Sequence, residues 1–93
     1  MSFYVYLITS KYKDKLISYV GYTNNLKSRI EQHNSSLGAK FTRGRKWKLI
    51  YQKKYSTKNK AMSEEYKLKK NYKKRKEIKT KYLENENFDT FTF

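Results

Sequence analysis

Three observations predict a small α/β fold of the α+β type. Two short runs rich in β-branched and aromatic residues, Phe3 to Thr9 and Ile17 to Tyr22, lie close enough to pair as a hairpin. After Gly21 the apolar period lengthens to that of a helix. A third alternating run around Trp47 is then followed by a second helical stretch. The 93 residues suffice for one such domain only, since a single core typically takes ~100 to 150 residues.

Taken in order, the polar stretch Ser10 to Lys15 reads as a longish hairpin connection. Leu26, Ile30 and His33 fall at i, i+4 and i+7, and Thr23 or Asn24 is placed to cap the first turn, which predicts a helix over about Asn24 to Asn34. Asn34 to Lys46, with Ser, Gly and four cations, reads as a loop. Trp47, Leu49 and Tyr51 alternate with mostly polar neighbours and predict a third strand over roughly Lys46 to Tyr55. Ser56 or Thr57 starts a second helix through about Tyr72, and a weaker basic helical stretch follows around Ile78 and Tyr82. Phe88, Phe91 and Phe93, set among Asn and Thr, form a segment that docks loosely or frays.

Composition narrows the chemistry. There is no Cys, so disulfides and thiolate zinc sites are excluded, and the one His, His33, excludes every two-His metalloprotease motif. The longest apolar run has six residues, Phe3 to Ile8, far below the ~18 to 20 that cross a bilayer, and no cationic stretch precedes it; the expectation is a cytoplasmic chain. The net charge is +15, and it is unevenly placed: +3 over residues 1–39, +15 over 40–81 and −3 over 82–93. Such a block attracts polyanions, of which nucleic acid is the commonest in the cytosol. A second account is compositional, because 19 of the 23 cations are Lys and Pro is absent, a bias that an AT-rich genome imposes on solvated surface.

Two positions ask for a chemical reason. At about 100° per residue Ala61, Leu68 and Tyr72 share one face of the second helix, with Glu65 in its middle. A carboxylate there is costly unless it is paired or binds a cation. The structural alternatives are an ion pair with Arg29, or a face turned so that Met62 and Tyr66 point inward. On the first helix Arg29 and His33 are neighbours at i and i+4 along the apolar stripe, where a cation and an imidazole suit a phosphate; a lone His is also commonly structural. Arg29, Arg43 and Arg45 stand out among so many Lys, because the planar guanidinium grips phosphate in a bidentate way that Lys does not copy. Tyr6 and Tyr19 lie on the paired strands, but only the hairpin register decides whether their hydroxyls meet.

These segments together resemble the GIY-YIG nuclease superfamily in its smallest stand-alone form. The two triplets stand as Tyr4-Val5-Tyr6 and Tyr19-Val20-Gly21, and Gly21 to Asn34 is similar to the family's Gly-x-Thr-x-x-Leu-x-x-Arg-x-x-x-His segment. Gly38-Ala39-Lys40-Phe41-Thr42-Arg43-Gly44-Arg45 is similar to the loop of the small members, and Ala61 to Lys70 to their acidic helix. The resemblance implies a three-stranded antiparallel sheet flanked by helices, a nuclease domain over residues 1–82 and an acidic, aromatic tail over 83–93. It also implies a metal-dependent endonuclease hydrolysing phosphodiester bonds in DNA, RNA not being excluded, with branched, flapped or damaged structures as candidate substrates. By position, Tyr6 and Tyr19 are the paired tyrosines, Arg29 the phosphate-binding cation, His33 a further site residue and Glu65 the ligand of one divalent cation, Mg²⁺ or Mn²⁺. Lys40, Arg43, Arg45, Lys69 and Lys70 are the cations expected along the nucleic acid. The first triplet lacks its Gly, and Glu77 stands where some relatives carry a site Asn, so no Asn is assigned. A tyrosine with His33 assisting is the expected general base, Tyr6, Tyr19 and His33 all being candidates. The alternative from another class is a non-catalytic nucleic-acid-binding module that keeps the fold. No membrane partner is expected, and the sequence leaves the oligomeric state open.

Overall fold

Alternation along the first two runs produces a hairpin longer and tighter than its apolar residues alone suggest. In the computed structural model, which describes residues 1–85, β1 spans Phe3–Tyr12 and β2 spans Lys15–Thr23. Pairing continues to Tyr12 opposite Lys15, so the expected long connection is a two-residue turn, made possible by Lys13 in the left-handed region at φ 49°. The helix α1 (Leu26–Asn34) follows, then β3 (Lys48–Tyr55), α2 (Lys58–Lys70) and α3 (Tyr72–Asn85). The sheet is antiparallel in the order β2-β1-β3, which leaves β2 and β3 at its edges.

Each helix begins where a side chain satisfies an otherwise orphaned backbone N–H. The cap of α1 is Asn25 rather than Thr23 or Asn24: its Oδ1 accepts from Ser28 N–H at 3.1 Å, while Thr23 Oγ1 accepts from Asn25 N–H. Thr57 caps α2 through a 3.2 Å bond from Lys60 N–H, as its position predicts. The second helix stops at Lys70 instead of continuing through Tyr72. Asn71 closes α2 and opens α3, its Oδ1 accepting from Lys74 N–H at 2.9 Å, so Tyr72 starts a new helix and is exposed. The weaker third helical stretch is a full helix with Ile78 buried.

The pleat sends alternate side chains to opposite faces. Val5, Leu7 and Val20 meet Ala61, Leu68 and Ile78, so α2 and α3 cover one face, with Ile50 and Tyr51 added from β3. A bulge permits both to point that way, because Leu7 pairs with Tyr51 but Ile8 pairs with Leu49. On the other face Tyr6, Ile8 and Trp47 pack with Tyr19, Leu26, Ile30 and Leu49 under α1. Met62 and Tyr66 are exposed and Ala61 and Leu68 buried, so the apolar face of α2 is the one that holds Glu65. Residues 86–93, which include Phe88, Phe91, Phe93 and most of the tail expected over 83–93, lie outside the described residues; α3 itself runs on to Asn85.

Candidate active site

Strand register brings the first pair together. Tyr6 stands opposite Gly21 and Ile8 opposite Tyr19, so Tyr6 and Tyr19 are diagonal neighbours on one face. Gly21 leaves the space that the Tyr6 ring crosses, and a Cβ at that position would lie 2.6 Å from Tyr6 Cζ. The buried Tyr6 hydroxyl lies 2.8 Å from His33 Nε2, and the Tyr6 and Tyr19 rings flank the imidazole at centroid distances of 5.8 and 5.2 Å.

The far nitrogen of His33 settles which way the protons point. His33 Nδ1 is 2.9 Å from Thr42 Oγ1, and Thr42 commits its single hydroxyl proton to the Ala39 carbonyl at 2.8 Å. Thr42 therefore accepts, Nδ1 carries the proton, Nε2 is the lone-pair nitrogen, and Tyr6 O–H donates to it. The ordered chain is Tyr6 to His33 to Thr42 to Ala39, with both titratable members fully buried. Gly38 closes it from above, since a Cβ there would lie 2.9 Å from His33 Cε1.

Thr42 sits in a single 3-10 turn, Lys40–Thr42, inside the segment expected as plain loop. That segment is pinned at its end: the Asn34 amide accepts from Trp47 N–H and donates to Trp47 C=O at 3.2 Å, and Trp47 Nε1–H donates to the Thr42 carbonyl at 2.9 Å. Gly38, Thr42, Asn34 and Trp47 thus fix His33, a role that the sequence did not disclose. The sequence signal was the Gly38 to Arg45 segment itself, whose buried Thr42 sits among cations.

Arg29, one turn before His33, is half-buried, and its Nη1 donates to Gln32 Oε1 at 3.0 Å. On its outer side it borders an open polar cleft of about 600 Å³ with Asn25, Ser28, Gln32 and Lys58. Burial pushes the Tyr6 phenol up to about 12, against the opposing pull of the Arg29 guanidinium; Tyr19 and Glu65 add lesser upward pushes. Burial, then Arg29, holds His33 below the ordinary imidazole value, so it is neutral. Glu65 lies on α2, which packs on the face of the sheet opposite Tyr6. Its carboxylate pairs with Lys69 at 3.5 Å, not with Arg29.

Glu65 is the one carboxylate among the five expected site residues, and among the described residues no three His, Cys, Asp or Glu side chains gather to hold a metal. One hard oxygen donor fits a cation that keeps most of its water, as Mg²⁺ does, and does not fit a tetrahedral zinc site. Of the cations expected along nucleic acid, Lys40 and Arg43 flank Thr42 and are exposed. Arg45 lies over the Phe41 and Tyr12 rings, and Lys69 lines a groove with Tyr19, Phe41 and Arg75. Lys70 instead leans over the Tyr66 ring.

A sheet of this order, with tyrosines of β1 and β2 packed against a histidine of α1 and an arginine one turn before it, points to a GIY-YIG type of domain. The model of the GIY-YIG catalytic domain matches residues 2–82, and the chain belongs to that family, a nuclease superfamily. Within it, the chain is 43% identical over 89 residues to a UPF0213 protein of Clostridium perfringens, covering 92% of each. It is 45% identical over 67 residues to a UPF0213 protein of Oceanobacillus iheyensis, covering 71% of this chain and 74% of that one. The solution NMR structure of the UPF0213 protein BH0048 from Bacillus halodurans, 34% identical, aligns over 89% of this chain and 86% of that chain with a TM-score of 0.47. No helix among the described residues is long and apolar enough to cross a membrane.

Proposed function

We propose that this protein is a cytoplasmic, divalent-metal-dependent endonuclease that hydrolyses phosphodiester bonds in DNA. The observation that carries the reading is the buried chain from Tyr6 O–H to the neutral Nε2 of His33, with Arg29 beside it. A phenol held near 12 is not a preformed base at neutral pH, but it relays a proton without ever carrying a full charge. The Tyr6 oxygen is buried in the free protein, so the step requires that substrate binding open the site to water. That water gives its proton to the Tyr6 oxygen as the phenolic proton moves to His33 Nε2; the resulting hydroxide bonds to phosphorus, the bond to the leaving oxygen breaks, and that oxygen takes a proton from solvent. Tyr6 ends neutral and His33 ends as imidazolium, whose Nδ1–H still has Thr42 as acceptor. Tyr19 holds the imidazole ring from the side. Arg29 faces the negative charge that builds on the phosphoryl oxygens. A cation held by Glu65 would supply charge neutralisation at the leaving oxygen. Lys40, Arg43, Arg45, Lys69 and Lys70 are assigned to the nucleic-acid backbone.

The test is a cleavage assay with Mg²⁺ or Mn²⁺ on duplex, single-stranded, flap and junction DNA. Wild type cleaves; Glu65→Gln and Tyr6→Phe each lose about 10²-fold or more in turnover while DNA binding stays. Equal turnover of wild type and Glu65→Gln at saturating Mn²⁺ removes Glu65 as the ligand. No cleavage of any substrate by wild type leaves a nucleic-acid-binding module in place of an enzyme.

A further inference from the structure

The relay accounts for the inner half of the Gly38 to Arg45 segment and leaves Phe41 unexplained. Its neighbour Thr42 is fully buried, yet Phe41 keeps 52% of its surface exposed. It is not a stray apolar side chain, because its ring lies 20° from parallel with Tyr19 at a centroid distance of 6.3 Å, and Tyr19 in turn packs on His33. On its other flank the Arg45 guanidinium sits 5.7 Å from the Phe41 centroid and 5.0 Å from that of Tyr12, itself exposed at the end of β1. Planar groups therefore run from the hairpin tip through Tyr12, Arg45, Phe41 and Tyr19 to the buried imidazole. Beside them a groove of about 250 Å³ is walled by Phe41 and Tyr19, with Lys69 and Arg75 also lining it.

We infer that Phe41, flanked by Arg45 and Tyr12, is a stacking platform for an unpaired nucleobase, and that Lys69 and Arg75 take the phosphate that follows it. Bases within a duplex are stacked on one another and present only edges, so a half-exposed aromatic ring flanked by a guanidinium selects single-stranded or flapped nucleic acid, whose unpaired base can cover the exposed part of the ring. The surrounding charge decides the class of occupant. An apolar protein surface seated on Phe41 would dehydrate the cations Lys40, Arg43, Arg45 and Lys69, whereas a nucleotide neutralises them. The inference deepens the nuclease reading by naming its substrate class, and rests on it only for the choice of nucleic acid.

Equilibrium binding without divalent metal keeps the measurement independent of turnover. The probes are a single-stranded oligothymidylate, an abasic strand of equal length and a duplex of equal length. Wild type should bind the base-bearing strand more tightly than the abasic one by roughly tenfold or more, the magnitude of base stacking on one aromatic ring. Phe41→Ala should erase that difference and leave duplex affinity within about twofold, and Phe41→Tyr should restore it. Equal loss on all three probes for Phe41→Ala, with Phe41→Tyr also weakened, would mean that Phe41 only shapes the fold; no preference of wild type for bases over abasic sites would overturn the platform. Should wild type show the preference but cleave nothing with Mn²⁺, the nuclease reading falls and the platform stands.

Discussion

At the scale of single residues, the candidate site is governed by where one proton sits on one imidazole. Thr42 spends its own hydroxyl proton on the Ala39 carbonyl and so forces His33 into the tautomer that accepts from Tyr6. Thr42→Val keeps the side-chain shape but leaves Nδ1–H without a partner, so the ring is freed to protonate Nε2 instead. Turnover should fall roughly tenfold or more with DNA affinity unchanged, the acid limb of the pH profile should move, and Thr42→Ser should restore both, as expected of a positioning residue. A burial effect alone would be read as lower thermal stability without a change in the pH profile. The same imidazole links stability to pH. Its native pKa is lowered from 6.5, so between the lowered value and 6.5 the unfolded chain binds more protons. Stability is full above 6.5 and is lost as pH falls below it. The midpoint of thermal unfolding should therefore drop from pH 7 to pH 5, and the drop should shrink in His33→Gln; an equal slope in both would assign it to other groups.

At the scale of elements, the edge strand β2 acts as a seam between the two faces of the sheet. Tyr19 faces α1 and the loop, while Val20 faces α2, the helix that carries Glu65. The seam works only if Tyr6 lies flat across β2, and Gly21 is the position that permits this. Gly21→Ala places a methyl group against the Tyr6 ring inside a closed site. Overpacking of this kind costs typically ~1 to 3 kcal/mol, and for a domain of this size that lowers the thermal midpoint by roughly 5 to 20 °C. Cleavage should fall further than stability explains, because the displaced hydroxyl loses His33. An unchanged midpoint in a calorimetric scan would show that Tyr6 has room to move. The break between α2 and α3 has a similar local cause: Asn71 caps the next helix, and Arg75 Nε donates to the Leu68 carbonyl at 3.2 Å, tying the two helices together.

At the scale of the whole molecule, the charge is concentrated in one part of the chain. The excess of cations over residues 40–81 comes from the turn that carries Thr42, from β3 and from the two C-terminal helices, while the described ion pairs neutralise only Glu64 and Glu65. If this surface follows a nucleic-acid backbone, affinity should fall steeply with salt, with a log-log slope of about −4 to −6 for some five or six phosphates neutralised. Sequence preference should be weak, since backbone contacts carry none. A slope near zero in a salt titration would return the +15 charge to compositional bias.

The sequence by itself determined the α+β class, the order of strands and helices, the apolar face of α2 and the oddity of Glu65 upon it. These are properties of a single element, and the periods of helix and strand print them directly on the chain. It also carried the likeness in five ordered segments, and the structure packs the Tyr6 and Tyr19 rings against His33, with Arg29 one turn before it on α1 and Glu65 on α2. The tertiary structure alone decided that Tyr6 lies opposite Gly21, that Thr42 sets the tautomer of His33 and that Glu65 pairs with Lys69. Each of these depends on a register or a loop path between distant residues. A one-residue slip in a strand pairing reverses every side chain while leaving the local pattern intact, so no period within an element records it.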